Sequence, residues 1–257
     1  MSEQGRVGAR IPADYRPADT ALAGRNILVT GASAGIGRSA ALHYARHGAT
    51  VILLGRSEER LVEVYDAIEA AGGPRPVAVP FDFHSVLEQD YAGLAAAVGE
   101  ELPRLDGLLL NAGILGERRP LAQYHWDVWR EVMQVNVNSQ FLTVRALLPL
   151  LEAAPRPSVV FTSSGVGRVG KAYWGAYAVS KFATEAMMQI LANETENTSA
   201  LRVNAINPGA TNTAMRRAAY PGEHPEDNPP PDAIMAAYLY LMDDASVDCT
   251  GISFDAR

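Results

Sequence analysis

The sequence predicts an α/β protein, a doubly wound parallel sheet of about seven strands with helices on both faces. Three observations predict it. From Asn26 onward, short apolar runs rich in β-branched residues alternate with longer stretches of helical periodicity, the rhythm of repeated βαβ units. The runs are largely apolar from end to end, as strands covered on both faces are. Finally, 48% of the 257 residues are hydrophobic and no linker, composition break or internal repeat divides the chain, so a single core is expected.

Taken in order, residues 1–23 show little apolar periodicity and contain Pro12 and Pro17, so they read as an arm over the surface or partly disordered. The domain proper is expected to span 24–257. Strands are expected in NILVT (26–30), TVILLG (50–55), PVAVPF (76–81), DGLLLNAG (106–113), SVVFTSS (158–164), LRVNAINPG (201–209) and GISF (251–254). Helical spacing covers 39–48, 58–73, 91–102, 126–154 and 176–194, the first two stretches closing near Gly48 and Gly72. Right-handed crossovers between such elements give the doubly wound arrangement. Residues 216–231 hold five of the sixteen prolines and no regular period, which predicts a long irregular loop before a helix at about 232–242.

Composition excludes several classes of function. The formal charge of −7 and the absence of a basic stripe argue against nucleic acid and anionic membrane as partners. A lone cysteine, Cys249, offers neither an internal disulfide nor a thiol pair for zinc. None of His43, His47, His84, His125 and His224 stands at metal spacing with carboxylate support, so no metal is expected. The first ten residues lack the apolar core of a signal peptide and no run reaches the ~18 apolar residues of a spanning helix, so a cytoplasmic protein is expected.

Thr30-Gly31-Ala32-Ser33-Ala34-Gly35-Ile36-Gly37 joins the first strand to the first helix. In that place a glycine-rich turn can set backbone N–H groups and a positive helix end against a pyrophosphate. Three glycines in a turn also serve tight geometry alone. Further along, TGASAGIG is joined by LLLNAG at 108–113, Ser164, Tyr177-x-x-x-Lys181 and Pro208-Gly209. In order and spacing these resemble the short-chain dehydrogenase/reductase family, in its short single-domain branch with a Rossmann fold. The stretches LLGR, MQVNVN and GAYAVSKFATE are most like a bacterial subgroup of poorly characterised oxidoreductases.

The resemblance implies a cofactor cradle of Gly31, Ser33, Gly35, Ile36 and Gly37. It also implies Asp82 and Phe83 at the adenine, Asn111-Ala112-Gly113 along the ribose, and Pro208, Gly209, Thr211 and Thr213 at the carboxamide and phosphates. Asp82 is equally an ordinary turn residue, and Asn111 equally a brace between strands. In NAD-binding units an acidic residue ends the second strand and meets the adenosine ribose. Here Gly55 stands in its place, followed by Arg56, which can grip a 2′-phosphate through a charge-assisted contact. NADP(H) is therefore expected in preference to NAD(H). The other reading of Arg56 is a solvated side chain paired with Glu58 or Glu59. Many NADP-using relatives carry a basic residue where Ala34 stands, and Arg38 is a partial substitute.

Tyr177 and Lys181 are i and i+4 on one helical face, thirteen residues beyond Ser164. A phenol near pKa 10 works at neutrality only if its phenolate is stabilised by roughly 4 kcal/mol. Tyr177 is expected to be the general acid in carbonyl reduction and the base in alcohol oxidation. Lys181 lowers its pKa and, by resemblance, meets the nicotinamide ribose, while Ser164 steadies developing oxyanion charge. By resemblance Asn136 completes the set, holding a water that links Lys181 to solvent; it is equally a polar residue that kinks its helix.

The expected function is NADPH-dependent interconversion of a carbonyl and an alcohol, acting on CH–OH groups of a small molecule. The alternative is a nucleotide-sensing binding protein without significant turnover. Leu115, Val166, Tyr173, Trp174 and Met215 are candidates for an apolar substrate pocket, residues 213–231 for a mobile lid over it. The resemblance further implies a homodimer or homotetramer built through helices at about 124–150 and 175–195.

Overall fold

The computed structural model describes residues 7–257. Eight strands form one parallel sheet: β1 (Val7–Ala9), β2 (Asn26–Thr30), β3 (Thr50–Gly55), β4 (Val77–Pro80), β5 (Gly107–Leu110), β6 (Ser158–Thr162), β7 (Arg202–Asn207) and β8 (Ser253–Asp255). Their spatial order is β1-β8-β7-β6-β5-β2-β3-β4. The order reverses between β2 and β5, and the crevice beyond the carboxyl ends of strands at such a switch point is where α/β sheets bind ligands.

The two-residue period of the strands divides the core. Ile27, Val29, Val51 and Leu53 point to one face and pack under α1 (Gly35–Arg46), α2 (Glu58–Ala70) and α8 (Met235–Met242). Leu28, Ile52, Leu54 and Leu108 point to the other, under α3 (Asp90–Glu101), α5 (Ser139–Glu152) and α6 (Gly175–Thr195). With MAAYLYLM, α8 is apolar all round, and all but one of its residues are buried.

Three elements differ from expectation. The eighth strand comes from the arm: Val7–Ala9 pairs in parallel with β8, across a register shift at Gly8 (φ 79°). Tyr15 then anchors the chain by donating to Asp243 Oδ2 at 2.9 Å and packing edge-on against Tyr240. The arm thus covers the edge that β8 would otherwise leave open. The part of the expected arm before Val7 lies outside the described residues.

The long helix expected at 126–154 is broken into α4 (Trp126–Met133), a π-helical segment Gln134–Asn138 and α5. Asn136 sits fully buried within that segment and makes the distortion useful, as described below. The loop expected at 216–231 is more regular than its prolines suggested. Thr213 Oγ1 accepts from Arg216 N at 3.1 Å and so caps a short helix, α7 (Ala214–Ala219). Single 3₁₀ turns follow at Pro225–Asp227 and Pro231–Ile234, the second leading directly into α8.

Candidate active site

A cleft of about 470 Å³ opens at the carboxyl ends of β2, β3, β5, β6 and β7. Its floor begins with Thr30, whose hydroxyl donates to Leu109 O at 3.3 Å and accepts from Asn111 N at 2.9 Å and Ala112 N at 3.0 Å. This knot fixes the turn after β2 against the end of β5. Gly31 has φ 67°, and a Cβ on it would stand 3.0 Å from Ala112 Cα, so the turn tolerates no side chain there. Gly37 lies beneath the turn and does not line the cleft: a Cβ on it would fall 2.2 Å from Gly31 O. The first turn of α1 has neither a capping side chain nor an acidic residue, which leaves its N–H groups free to face an anion.

Ser33, Ala34, Gly35 and Ile36 line this end of the cleft, with Gly55 and Arg56 beside them. A Cβ on Gly55 would meet Leu61 Cδ2 at 3.4 Å and Ser33 Oγ at 3.5 Å, which are ordinary contacts, so what Gly55 contributes at the end of β3 is the lack of a carboxylate. Arg56 is exposed, and among the described residues the ion pairs include neither it nor Glu58 nor Glu59. Arg60, in the first turn of α2, lines the cleft with it, whereas Arg38 does not. The spacing Arg56-x-x-x-Arg60 was the signal that sequence reasoning passed over.

Farther along, Asp82 and Phe83 line the wall together with Phe81, His84 and Glu131, none of which the motifs had marked. Asp82 Oδ1 accepts from His84 N at 3.1 Å, so its side chain also closes its own turn. Phe83 is buried in an aromatic group with Phe81 and Tyr91. Asn111, Ala112 and Gly113 border the cleft, and Asn111 Nδ2 donates to Thr30 O at 3.4 Å, so it braces the strand ends as well. On the opposite side Pro208, Gly209, Thr211 and Thr213 line the turn after β7. Thr211 Oγ1 bonds Pro208 O at 3.2 Å, and Thr213 spends its hydroxyl on the α7 cap.

At the other end, β6 runs into Ser163 and Ser164. Ser163 is buried against α6, and the half-buried Ser164 faces the cleft. Tyr177 and Lys181 present the same face of α6 to it and are 8% and 3% exposed. The Lys181 ammonium donates to Thr162 O at 2.7 Å and stands 5.7 Å from the Tyr177 ring centroid. Burial pushes the Tyr177 phenol up to about 12, with the Ser164 hydroxyl working the other way, and pulls Lys181 down to about 8 against the upward pull of Glu185. The depressed phenol expected from its lysine is therefore not the state of this structure. Desolvation beside Trp174 outweighs an ammonium turned toward a carbonyl.

Asn136 does not reach the cleft. Its Oδ1 accepts from Ile114 N at 2.8 Å, and its Nδ2 donates to Ile114 O at 2.9 Å and Ser180 Oγ at 3.0 Å. The side chain thus ties the segment after β5 to α6. Leu115, Trp174, Met215 and Ala219 form an apolar wall near Tyr177. Val166 packs behind this wall, and Tyr173, at φ 71° and 56% exposed, does not line the cleft. Among the described residues no group of three or more His, Cys, Asp or Glu is placed to hold a metal ion, and no helix is long and apolar enough to cross a membrane.

The sheet and its crevice define a Rossmann-type α/β protein. The chain belongs to the short-chain dehydrogenase family, whose model matches residues 25–224, and it is an oxidoreductase of that family. It is 52% identical over 95% of its length to the uncharacterized oxidoreductase YciK of Escherichia coli K12, of which 96% is covered. Two solved short chain dehydrogenases are similar throughout. One, from Shigella flexneri and complexed with NADP, is 51% identical with a TM-score of 0.91, covering 93% of this chain and 99% of that one. The other, from Escherichia coli CFT073 and complexed with NADPH, is 52% identical with a TM-score of 0.91, covering 94% and 100%.

The fit beneath the glycine turn generates a prediction. Gly37→Ala forces a methyl group against the Gly31 carbonyl, an overpacking that costs about 1–3 kcal/mol. A fall in Tm of several degrees is expected by calorimetry. An unchanged Tm contradicts the close packing described.

Proposed function

We propose that the chain is an NADPH-dependent oxidoreductase that interconverts a small-molecule carbonyl and its alcohol. The observation that carries this reading is that Ser164, Tyr177 and Lys181 line one end of the same cleft whose other end holds an uncapped helix terminus and two arginines. Those residues suit NADP(H). The glycine turn leaves room for a pyrophosphate, Gly55 removes the carboxylate that would repel a 2′-phosphate, and Arg56 and Arg60 supply two guanidinium groups to hold it. The NADP and NADPH complexes of the similar Shigella and Escherichia proteins support the same choice. Asp82, Phe83 and Asn111–Gly113 are read as the adenosine and ribose side, and Pro208–Thr213 as the nicotinamide side.

When bound, the cofactor supplies or accepts the hydride. The chain's own residues do the rest. Ser164 donates a hydrogen bond to the substrate oxygen and steadies the charge that develops there. Tyr177, protonated across the physiological range, delivers its phenolic proton to that oxygen in reduction and receives it back in oxidation. Lys181 is charged below about pH 8, and its positive field favours the phenolate left behind. Asn136 keeps α6 and the segment after β5 in register, so Tyr177 stays aimed at the cleft. Leu115, Trp174, Met215 and Ala219 exclude water from the reacting end and favour an apolar group on the substrate. α7 supplies part of that wall, and we read Thr213–Pro231 as the cover that closes over substrate. Trp126, Phe141, Val179, Phe182 and Ile190 expose apolar surface on α4, α5 and α6, which supports a homo-oligomer formed through those helices.

Arg56→Ala is expected to weaken NADPH binding about 5- to 150-fold, the equivalent of ~1–3 kcal/mol for a charge-assisted contact, and to leave NADH binding where it was. Titration of both cofactors checks this; a variant that keeps its NADPH preference contradicts the role of Arg56. For the chemistry, Tyr177→Phe removes the transferable proton and little volume. Its kcat on a confirmed carbonyl substrate is expected to fall at least about 10²-fold while the Kd for NADPH stays within about twofold. Retention of more than about a tenth of the activity contradicts the acid's identity. Wild-type protein that binds NADPH but oxidises it with no aldehyde, ketone or β-ketoacyl thioester is a sensor and not an enzyme.

A further inference from the structure

Tyr177, Lys181 and Glu185 follow one another at i, i+4 and i+8 on α6, and the third member has no part in the chemistry above. Glu185 is 6% exposed. Its Oε1 accepts hydrogen bonds from the Ser163 hydroxyl and, at 2.8 Å, from Ser253 Oγ. Arg168 Nε stands 3.4 Å from the same oxygen. Arg168 is itself held by Asp255 Oδ1 at 2.7 Å, Ser253 Oγ at 2.7 Å and Phe254 O at 3.0 Å. Asn207 Nδ2 donates to that same Asp255 oxygen at 2.9 Å, and Asn207 Oδ1 accepts from Gly209 N at 3.1 Å. A continuous polar seam therefore runs from the turn after β7, through β8 and the loop after β6, into α6 directly behind Ser163 and Lys181.

Two features make this more than a packed ion pair. The loop carrying Arg168 is pressed onto the helix at Lys181 itself: a Cβ on Gly167 would lie 2.8 Å from the Lys181 backbone carbon, so the spacing between loop and helix is fixed. The charges also balance only as a set. Arg168 and Lys181 bring two positive charges to this seam, and Asp255 and Glu185, the latter ion-paired with Arg168 and one helical turn from Lys181, bring two negative ones. A buried carboxylate is costly to keep unless it has a partner. The hydroxyls of Ser163 and Ser253 would be served equally well by a neutral amide, so hydrogen bonding alone does not require a carboxylate here.

We infer that Glu185 is a positioning residue of the site, a carboxylate that fixes the end of β6 through Ser163 and keeps the buried Lys181 ammonium charged. Burial draws Lys181 down toward the working pH, and Glu185 is the group that opposes it. The other titratable and charged groups facing this pair are Tyr177 on α6, Tyr238 from α8, Arg168 from the loop after β6 and Asp255 from β8. Without Glu185 the ammonium loses the charge that supports it and releases its proton at lower pH, and the field that favours the Tyr177 phenolate goes with it. This consequence for the reaction rests on the functional reading above.

Lys171 and Lys181 are the chain's only lysines, so protein labelled with isotope at lysine gives two side-chain signals by NMR, with the exposed Lys171 as internal reference. Glu185→Gln keeps the acceptor for both serines and removes the charge. The Lys181 titration midpoint is expected to fall by about one pH unit or more, with Lys171 unmoved. Glu185→Asp, which keeps the charge and draws it back by one methylene, is expected to shift Lys181 the same way by less, and it serves where the amide variant fails to fold. With a confirmed carbonyl substrate, the alkaline limb of the kcat profile moves by the amount that Lys181 moves, and the Kd for NADPH does not. A Lys181 midpoint equal to wild type in the folded variants overturns the inference. The lysine titration needs no substrate, so its outcome is independent of whether the wild-type protein turns over carbonyls.

Discussion

Lys181 places an ammonium at the end of β6, 3% exposed and donating at 2.7 Å to the Thr162 carbonyl. An amine in that position gives up most of its hydration, and burial alone draws its proton affinity down toward the working range. Much of the surrounding structure compensates for that burial. The Thr162 carbonyl accepts its hydrogen bond, Glu185 sets a negative charge one turn further along α6, and Arg168 lies between Glu185 and Asp255, paired with both. The order β8-β7-β6 in the sheet brings these groups together beside α6, so the arrangement follows from topology as much as from the residues.

The cleft asks opposite things of its two ends. At the glycine turn the requirement is absence: no side chain at Gly31 or Gly35, no acidic residue in the first turn of α1, and a threonine hydroxyl to hold backbone amides in place. At the reacting end the requirement is enclosure, with Tyr177 packed against Trp174 and its phenol pushed up to about 12 by that burial. A phenol so placed keeps its proton at neutral pH and is a weak acid, and positive charge brought against it stabilises the phenolate that proton transfer leaves behind. Enclosure therefore keeps Tyr177 protonated, and charge gathered near it makes that proton easier to give up.

Most of the cleft's lining was legible in the sequence because the proposed chemistry demands particular residue types at particular spacings. Ser164, Tyr177 and Lys181 are such a case, and the glycines of the turn another. Gly55 followed by Arg56 was legible for the same reason, since the absence of an acid at a strand end is itself a signal. What escaped was whatever depends on local geometry or on contacts distant in sequence. Three residues interrupted by a left-handed glycine carry too little alternation to announce β1. The prolines of 216–231 concealed α7, whose Ala-Met-Arg-Arg-Ala-Ala sequence is helical by composition and capped by Thr213. Asn136 was marked as a site residue, but its three bonds to Ile114 and Ser180 depend on a π-helical turn that no periodicity reveals. Glu185 looked like one more polar residue on a helix, because Arg168 and Ser253 reach it only through the fold.

Burial holds the proton on Tyr177, and positive charge added beside the phenol releases it. Tyrosinate absorbance measured as a difference between wild type and Tyr177→Phe isolates this one phenol from the other nine tyrosines. The account predicts that, with saturating NADP⁺, the Tyr177 signal appears well below the pH of about 12 at which it ionises in the free protein. The same titration with the uncharged nicotinamide of NADPH bound leaves it much closer to that value. A Tyr177 midpoint that is the same in the free protein and in both complexes contradicts the account.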